Sequence, residues 1–226
     1  MRQLWFAVIL LAACGAGFAA DPPTIVEIVF EGNEVTRPRV MQRELVVEVG
    51  DPADPQALER SRQALLDLGL FRRVHLREEP VEGGVRIVFA VDERYYILPS
   101  PRLDAKSDGR YAYGLQFRWN NVAGLNHTLR VFVEEEERRR AGIGRETSYV
   151  ASYSAPFVLR SPYSVAVSGS YLTRPVEEAG FEYTETFRAF GLGVSRFFSD
   201  GPASQGFTVG AGLNWLQQRT DGELAR

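Results

Sequence analysis

The sequence predicts an exported chain in which a small α+β domain precedes an antiparallel transmembrane β-barrel. Three observations predict it. An apolar processing segment opens the chain, helix caps and short apolar strands alternate over residues 24–93, and a strict two-residue period runs from Tyr111 onward. In that last region Tyr111, Tyr113, Leu115, Phe117 and Trp119 alternate with Ala112, Gly114, Gln116 and Arg118. Tyr163, Val165, Val167, Gly169 and Tyr171 alternate with Ser164, Ala166, Ser168 and Ser170. Phe207, Val209, Ala211, Leu213 and Trp215 alternate with Thr208, Gly210, Gly212 and Asn214. Successive strand side chains point to opposite faces, so each segment has one apolar face and one small or polar face. No apolar run reaches the roughly 18 residues a membrane helix needs. A soluble β-sandwich also alternates, but long strands with terminal tyrosines and tryptophans behind an export segment favour the barrel.

Residues 1–20 read as a signal peptide. Arg2 supplies the basic start, Leu4 to Ala13 the apolar stretch, and small residues follow up to Asp21. Cleavage after Ala19 puts Gly17 and Ala19 at the small-residue positions. Leu11-Ala12-Ala13-Cys14 also reads as a lipobox, in which Cys14 is lipidated and becomes the new N-terminus. Both readings export the chain. Cys14 is the sole cysteine, so no disulfide framework is expected.

A net charge of −3 with both signs mixed along the chain gives no nucleic-acid footprint. His75 and His127 have no ligand-spaced companions. No nucleophile elbow, zinc-protease helix or phosphate-binding loop is present. No enzyme, cofactor site or metal site is therefore expected.

Residues 24–93 read as one domain. Ile25–Phe30 is a β-branched strand ended by the Glu31-Gly32-Asn33 turn. Thr36 caps a first helix, with Pro38 in its first turn, running to about Leu45. Asp54 caps a second helix with Pro55 at its first position and Gly69 past its end. Leu58, Leu65 and Leu68 fall near one face of that helix, with Leu66 beside them. Phe71–Glu79 and Val85–Val91 are strands around a Gly83-Gly84 turn. Two helices over one face of a three-stranded sheet form a stable two-layer unit.

This order, opening on Ile28-Val29-Phe30-Glu31-Gly32-Asn33, resembles a POTRA domain. So do Gly69, Phe71 and Val74 within Leu68–Val74, and the exit Val91-Asp92-Glu93. Downstream, Asn120-Asn121-Val122-Ala123-Gly124 resembles an early turn in outer-membrane assembly factors of the BamA/TamA type. The resemblance implies a Gram-negative outer-membrane protein with its POTRA domain in the periplasm. It implies outer-membrane lipid, unfolded outer-membrane proteins as clients, and accessory periplasmic proteins or lipoproteins as partners. It also implies that Val85–Val91 is central and the second strand lies at a sheet edge. That edge, at Val74, His75, Leu76, Arg77 and Glu78, would receive client strands by backbone pairing.

Seven strands are expected over 98–226, at about 98–106, 110–119, 124–135, 145–154, 162–174, 181–198 and 205–218. Asn120–Gly124, Pro156–Pro162 and Ser199–Ser204 become turns on the POTRA side. Ser107–Gly109, Glu136–Gly144 and Arg174–Gly180 become loops on the far side. The charged blocks Glu134–Glu137 and Arg138–Arg140 then surround a solvated loop tip. Leu115, Phe117, Val165, Val167, Leu192, Val194, Val209 and Leu213 should face lipid. Gly114, Gln116, Ser168, Gly191, Gly193, Gly210 and Gly212 should face the lumen. In the first strand, Leu98 leads into Arg102, Asp104 and Lys106, which alternate with Leu103 and Ala105. Pro99 and Pro101 interrupt it. The resemblance implies a seam here that opens sideways for clients; a frayed first strand beside a linker is the plainer reading.

An open sheet edge in lipid is costly, and bacterial barrels close with an even number of strands. A longer protein, of which this chain is the N-terminal part, is therefore expected. The function expected from the resemblance is assembly or insertion of outer-membrane proteins. A transporter of the two-partner secretion type and a non-functional truncated copy are the alternatives.

Overall fold

The computed structural model describes residues 22–105, 111–137, 144–178 and 181–223. The expected signal segment with Cys14, together with Lys106 and Arg138–Arg140, lies outside the described residues. The first unit runs β1 (Ile25–Glu31), α1 (Pro38–Gln42), α2 (Pro55–Asp67), β2 (Phe71–Val81) and β3 (Gly84–Glu93). Its three-stranded sheet has the order β1-β3-β2. β1 lies parallel to β3, and β2 antiparallel to it. The expected central position of the last strand is observed.

Asp54 caps α2 by accepting from the amides of Gln56 and Ala57, and Pro55 occupies the first turn. α2 buries Leu58 and Leu65 against Phe71, Ile87 and Phe89 of the sheet, with Ile25 and Met41 completing the core. Gly69, at φ +70°, ends the helix in the left-handed region. Gly32 is needed for a closer reason: a Cβ there would lie 2.2 Å from the Val91 carbonyl oxygen.

The first helix differs from expectation. It spans five residues and its N-cap is Arg37, with no side-chain cap. The Thr36 hydroxyl is taken up by Tyr96 and Asn121 instead. After Gln42 the chain continues in single turns, Glu44 N–H to Met41 O at 2.9 Å and Leu45 N–H to Gln42 O at 3.2 Å.

The second unit is one antiparallel sheet of seven strands: β4 (Ile97–Ala105), β5 (Tyr111–Val122), β6 (His127–Glu137), β7 (Glu146–Ala155), β8 (Tyr163–Glu178), β9 (Phe181–Phe198) and β10 (Phe207–Glu223). Strands pair in chain order, with β4 and β10 at the edges. Register decides the faces, since residues directly opposite share one. Leu213, Leu192, Val167, Tyr153, Leu129, Trp119 and Ile97 form one continuous row. Its neighbour runs Trp215, Phe190, Gly169, Ala151, Val131, Phe117 and Pro99. The opposite face carries Asn214, Gly191, Ser168, Ser152, Arg130 and Arg118 in one row. Every residue expected to face lipid lies on the first face, and every residue expected to face the lumen on the second. The first face leaves Leu213 at 78% and Val209 at 58% exposed, an apolar surface that water would not favour.

Two far-side features depart from expectation. Arg174–Glu178 continues β8 rather than forming a loop, because the hairpin pairs as far as Glu178 with Phe181. Arg174 gains an ion pair with Glu146 at 3.3 Å on the way. Glu134–Glu137 lie within β6. There Glu134 pairs with Arg102 at 3.8 Å and Glu135 with Arg145 at 3.1 Å.

Candidate functional site

Two strand edges and the joint between them form the candidate site. β2 is the open edge of the small sheet. The opposite edge, at β1, is covered at its start by the 50–52 loop, where Ile25 exchanges 2.8 Å hydrogen bonds with Gly50 and Asp51. An antiparallel strand turns both polar groups of alternate residues outward. Arg94 N–H donates to Leu70 O at 2.9 Å, which fixes the inward set before the bulge between Phe71 and Arg73. Counting through that bulge, His75 and Arg77 face β3, while Val74, Leu76 and Glu78 face out. Two further observations agree. Pro80, which has no N–H to give, occupies the same outward set. The Val74 carbonyl accepts from Arg62 Nη1 at 3.4 Å, outside the ladder. So of the five expected edge residues, Leu76 and Glu78 turn both backbone groups outward, Val74 turns out its amide while Arg62 takes its carbonyl, and His75 and Arg77 are ladder partners. Charge lies along this edge: Arg77 pairs with Glu31, and Arg72 and Arg73 pair with Asp92 at 3.0 and 3.4 Å. The hydrogen bond from Arg72 above all holds the Asp92 carboxyl below the usual carboxylate range.

β4 is the edge of the large sheet, with Leu98, Arg102, Leu103, Asp104 and Ala105 all exposed. Asn120 N–H donates to Tyr96 O at 2.8 Å, so Tyr96, Leu98, Ser100, Arg102 and Asp104 turn their backbone toward β5. Pro99 and Pro101 then point their missing donors away from the sheet. The expectation that they interrupt the strand is corrected: pairing with β5 is unbroken from Ile97 to Ala105. The prolines instead deprive the free edge of donors. Arg102 and Asp104 share the face of Gly114 and Ala112, the one expected to line the lumen.

The joint holds both edges in one body. Asn121, 1% exposed, donates from Nδ2 to Thr36 Oγ1 at 2.8 Å. A hydroxyl has one proton. The consistent chain is therefore Asn121 to Thr36, Thr36 to Tyr96 at 3.1 Å, and Tyr96 to Leu70 O at 3.3 Å. Burial is the main cause that raises the Tyr96 phenol above its ordinary range, keeping it a donor. The Asn121 Oδ1 accepts from Asn126 N–H at 2.8 Å, shaping the turn. Glu93 accepts from the amides of Thr36 at 2.7 Å and Val35 at 3.0 Å. Arg37 donates to the carbonyls of Gly124 and Ala123. A Cβ on Gly124 would lie 2.0 Å from Val35 O, so glycine alone permits this approach. On the other side Glu44, fully buried, accepts from Ser204 N–H at 2.8 Å and from Arg43 Nε at 3.2 Å. Arg43 lies 4.0 Å above the Phe157 ring. The small unit therefore docks against the three turns expected on its own side: Ala123–Gly124, the Phe157 turn and Ser204.

Asn121, Gly124 and Glu93 sit in motifs singled out in the sequence. Arg43, Glu44 and Tyr96 were not, Ser204 entered only as the end of a turn, and these residues meet only through folding. Thr36 read as a cap, which was its nearest local use.

Residues 23–94 match the family model for POTRA, the surface antigen variable number repeat. No match was found among curated protein sequences. Among solved structures, the chain resembles BamA from Haemophilus ducreyi lacking POTRA domains 1–3, at 16% identity and a TM-score of 0.59, over 87% of this chain and 36% of that one. It resembles CdiB from Acinetobacter baumannii at 18% identity and a TM-score of 0.58, over 88% and 38%. It resembles CdiB from Escherichia coli at 16% identity and a TM-score of 0.59, over 90% and 39%. The chain thus spans under two-fifths of the length of these structures. Residues 23–94 thus carry a POTRA domain, and the chain as a whole shares the fold of the corresponding part of these structures.

Proposed function

We propose that this protein assembles or inserts proteins into the bacterial outer membrane, with its POTRA domain in the periplasm. The outward backbone groups of β2 carry the reading. Leu76 and Glu78 offer donors and acceptors, and Val74 its amide, to an extended client strand, flanked by charges that deter indiscriminate pairing. A hydrogen-bonded joint then connects that edge to β4, whose free side lacks donors at Pro99 and Pro101. A strand paired there through fewer hydrogen bonds separates more readily, which suits a seam that admits clients. The apolar face of the seven-stranded sheet supports lipid contact around it.

The test is a client peptide crosslinked to β2 in vesicles or cells. Glu78→Pro removes one outward donor and spares the ladder, so crosslinking should fall severalfold while folding is unchanged. His75→Pro breaks the ladder and should unfold the domain. Undiminished crosslinking in Glu78→Pro would end the β-augmentation reading.

Secretion through the lumen is a second reading, favoured by one observation. The row Gly212, Gly193, Ala166, Ser154 and Thr128 on the polar face is built of small side chains, leaving space beside the sheet. Bulky substitutions along that row would block secretion but leave client insertion at the seam intact.

A further inference from the structure

A cavity of about 970 Å³ lies between α1 and the β5–β6 and β7–β8 turns. Three of its lining side chains are Arg39, Arg43 and Arg160, and the apolar ones include Leu125, Phe157 and Val158. Its lining from the sheet comes from the POTRA-side turns and the start of β6. His127, which lines it, shares its face with Leu129, and its Nδ1 lies 2.7 Å from the hydroxyl of Tyr153, opposite Leu129. Nearby at the same rim Arg196 lies over the rings of Tyr163 and Phe198, at 5.7 and 4.8 Å. Arginine and aromatic side chains at this level are what a headgroup region selects.

The turn that walls the cavity is strained. Phe157, Leu159 and Arg160 all hold left-handed backbone, at φ 55°, 53° and 61°. The result is a leucine, Leu159, 97% exposed beside a basic pocket. The charge is also incompletely answered. Glu44 occupies Arg43 Nε, yet Arg43 Nη2 is buried without a hydrogen-bond partner. Burial lowers the Arg43 pKa, and the Glu44 carboxylate opposes that shift.

We propose that this cavity binds one anionic glycerophospholipid from the leaflet facing the POTRA domain. Its phosphate is held by Arg39, Arg43 and Arg160, and its acyl chains run along Leu125, Val158 and Leu159 toward the Leu129 strip. A lipid seated there spans the joint, touching α1 and two turns of the sheet together. The inference rests on the membrane reading above.

The test uses the full-length protein purified from membranes in mild detergent. Native mass spectrometry would follow retention of added phosphatidylglycerol against phosphatidylcholine, with inorganic phosphate as competitor. The protein should retain phosphatidylglycerol selectively. The paired substitution Arg39→Gln with Arg160→Gln should weaken retention by about tenfold or more, the order expected for losing charge-assisted phosphate contacts. Arg219→Gln, at the far rim, should leave it unchanged. If the paired variant fails to fold, as judged by a heat-dependent gel shift, Leu159→Ser decides: it should weaken long-chain but not short-chain phosphatidylglycerol. Equal retention of both lipids, displacement by phosphate as effective as by lipid, or no loss in these variants overturns the proposal. A protein that does not partition with membranes at all overturns the membrane reading as well.

Discussion

Val167→Arg is the sharpest test of the apolar face. Val167 sits on β8 midway between Tyr163 and Tyr171, four residues from each, on the same face. At about 3.3 Å per residue the tyrosines stand about 26 Å apart along the strand. A tilt of about 40° reduces that to about 20 Å along the membrane normal, close to the roughly 25 Å apolar band of such barrels. On the proposed membrane reading Val167 then lies near the midplane, flanked across the sheet by Tyr153 and Leu192. Arginine at that depth costs about 2–4 kcal/mol. That is roughly a 30- to 700-fold shift in the folding equilibrium at about 1.4 kcal/mol per decade. Ser168, one residue on, faces the other way between Ser152 and Gly191, so arginine there rests in a polar, roomy setting. The assay is urea unfolding of the full-length protein in lipid vesicles, read by tryptophan fluorescence and the gel shift. Equal cost at the two positions, or a larger cost at Ser168, would refute a lipid-facing surface.

The remaining predictions concern the POTRA domain and its joint. Gly124→Ala places a Cβ against Val35 O and forces alanine into left-handed backbone, itself about 1–2 kcal/mol. Trypsin should then cut at Arg94 faster while the POTRA melting temperature stays put; an unchanged cleavage rate would argue against a tight joint. Residues 22–96 should fold alone, since the whole core cluster lies within them, and Phe71→Ala should cost that piece about 3–5 kcal/mol by circular dichroism. Because the Asp92 pKa is depressed, its stabilising contribution is present above the ordinary carboxylate range and lost as pH falls through the lower folded value. Asp92→Asn should therefore flatten the acid limb of the stability curve, and an unaltered limb would show that the Arg72 pair contributes nothing.

What was legible in the sequence follows from how local each signal is. Strand faces were legible because the period-two pattern is written residue by residue, and Val165 and Ser168 needed no partner to declare themselves. The α2 cap was legible because Asp54 and Pro55 act on their own neighbours. The polarity of the β2 edge was not, because one bulge at Phe71–Arg73 reverses which residues face outward, and no residue type there announces it. Pro80 was the available sign. The joint was hidden for a different reason: Asn121 and Thr36 are 85 residues apart and acquire roles only when the two sheets meet.

That joint also explains why one chain would carry these two edges together. Only Arg94, Tyr95 and Tyr96 separate β3 from β4. Arg94 still belongs to the POTRA ladder through Leu70, whereas Tyr96 already belongs to the barrel ladder through Asn120. The Tyr96 hydroxyl then reaches back to Leu70 O, the same carbonyl that Arg94 uses. Neither Arg94 nor Tyr96 can swing away without breaking a bond in one sheet or the other. The β2 ladder is therefore joined through β3 to the start of β4. This is the strand whose outer side Pro99 and Pro101 leave poor in donors. A connection bonded into both sheets thus leads to the edge whose outer side has the fewest donors.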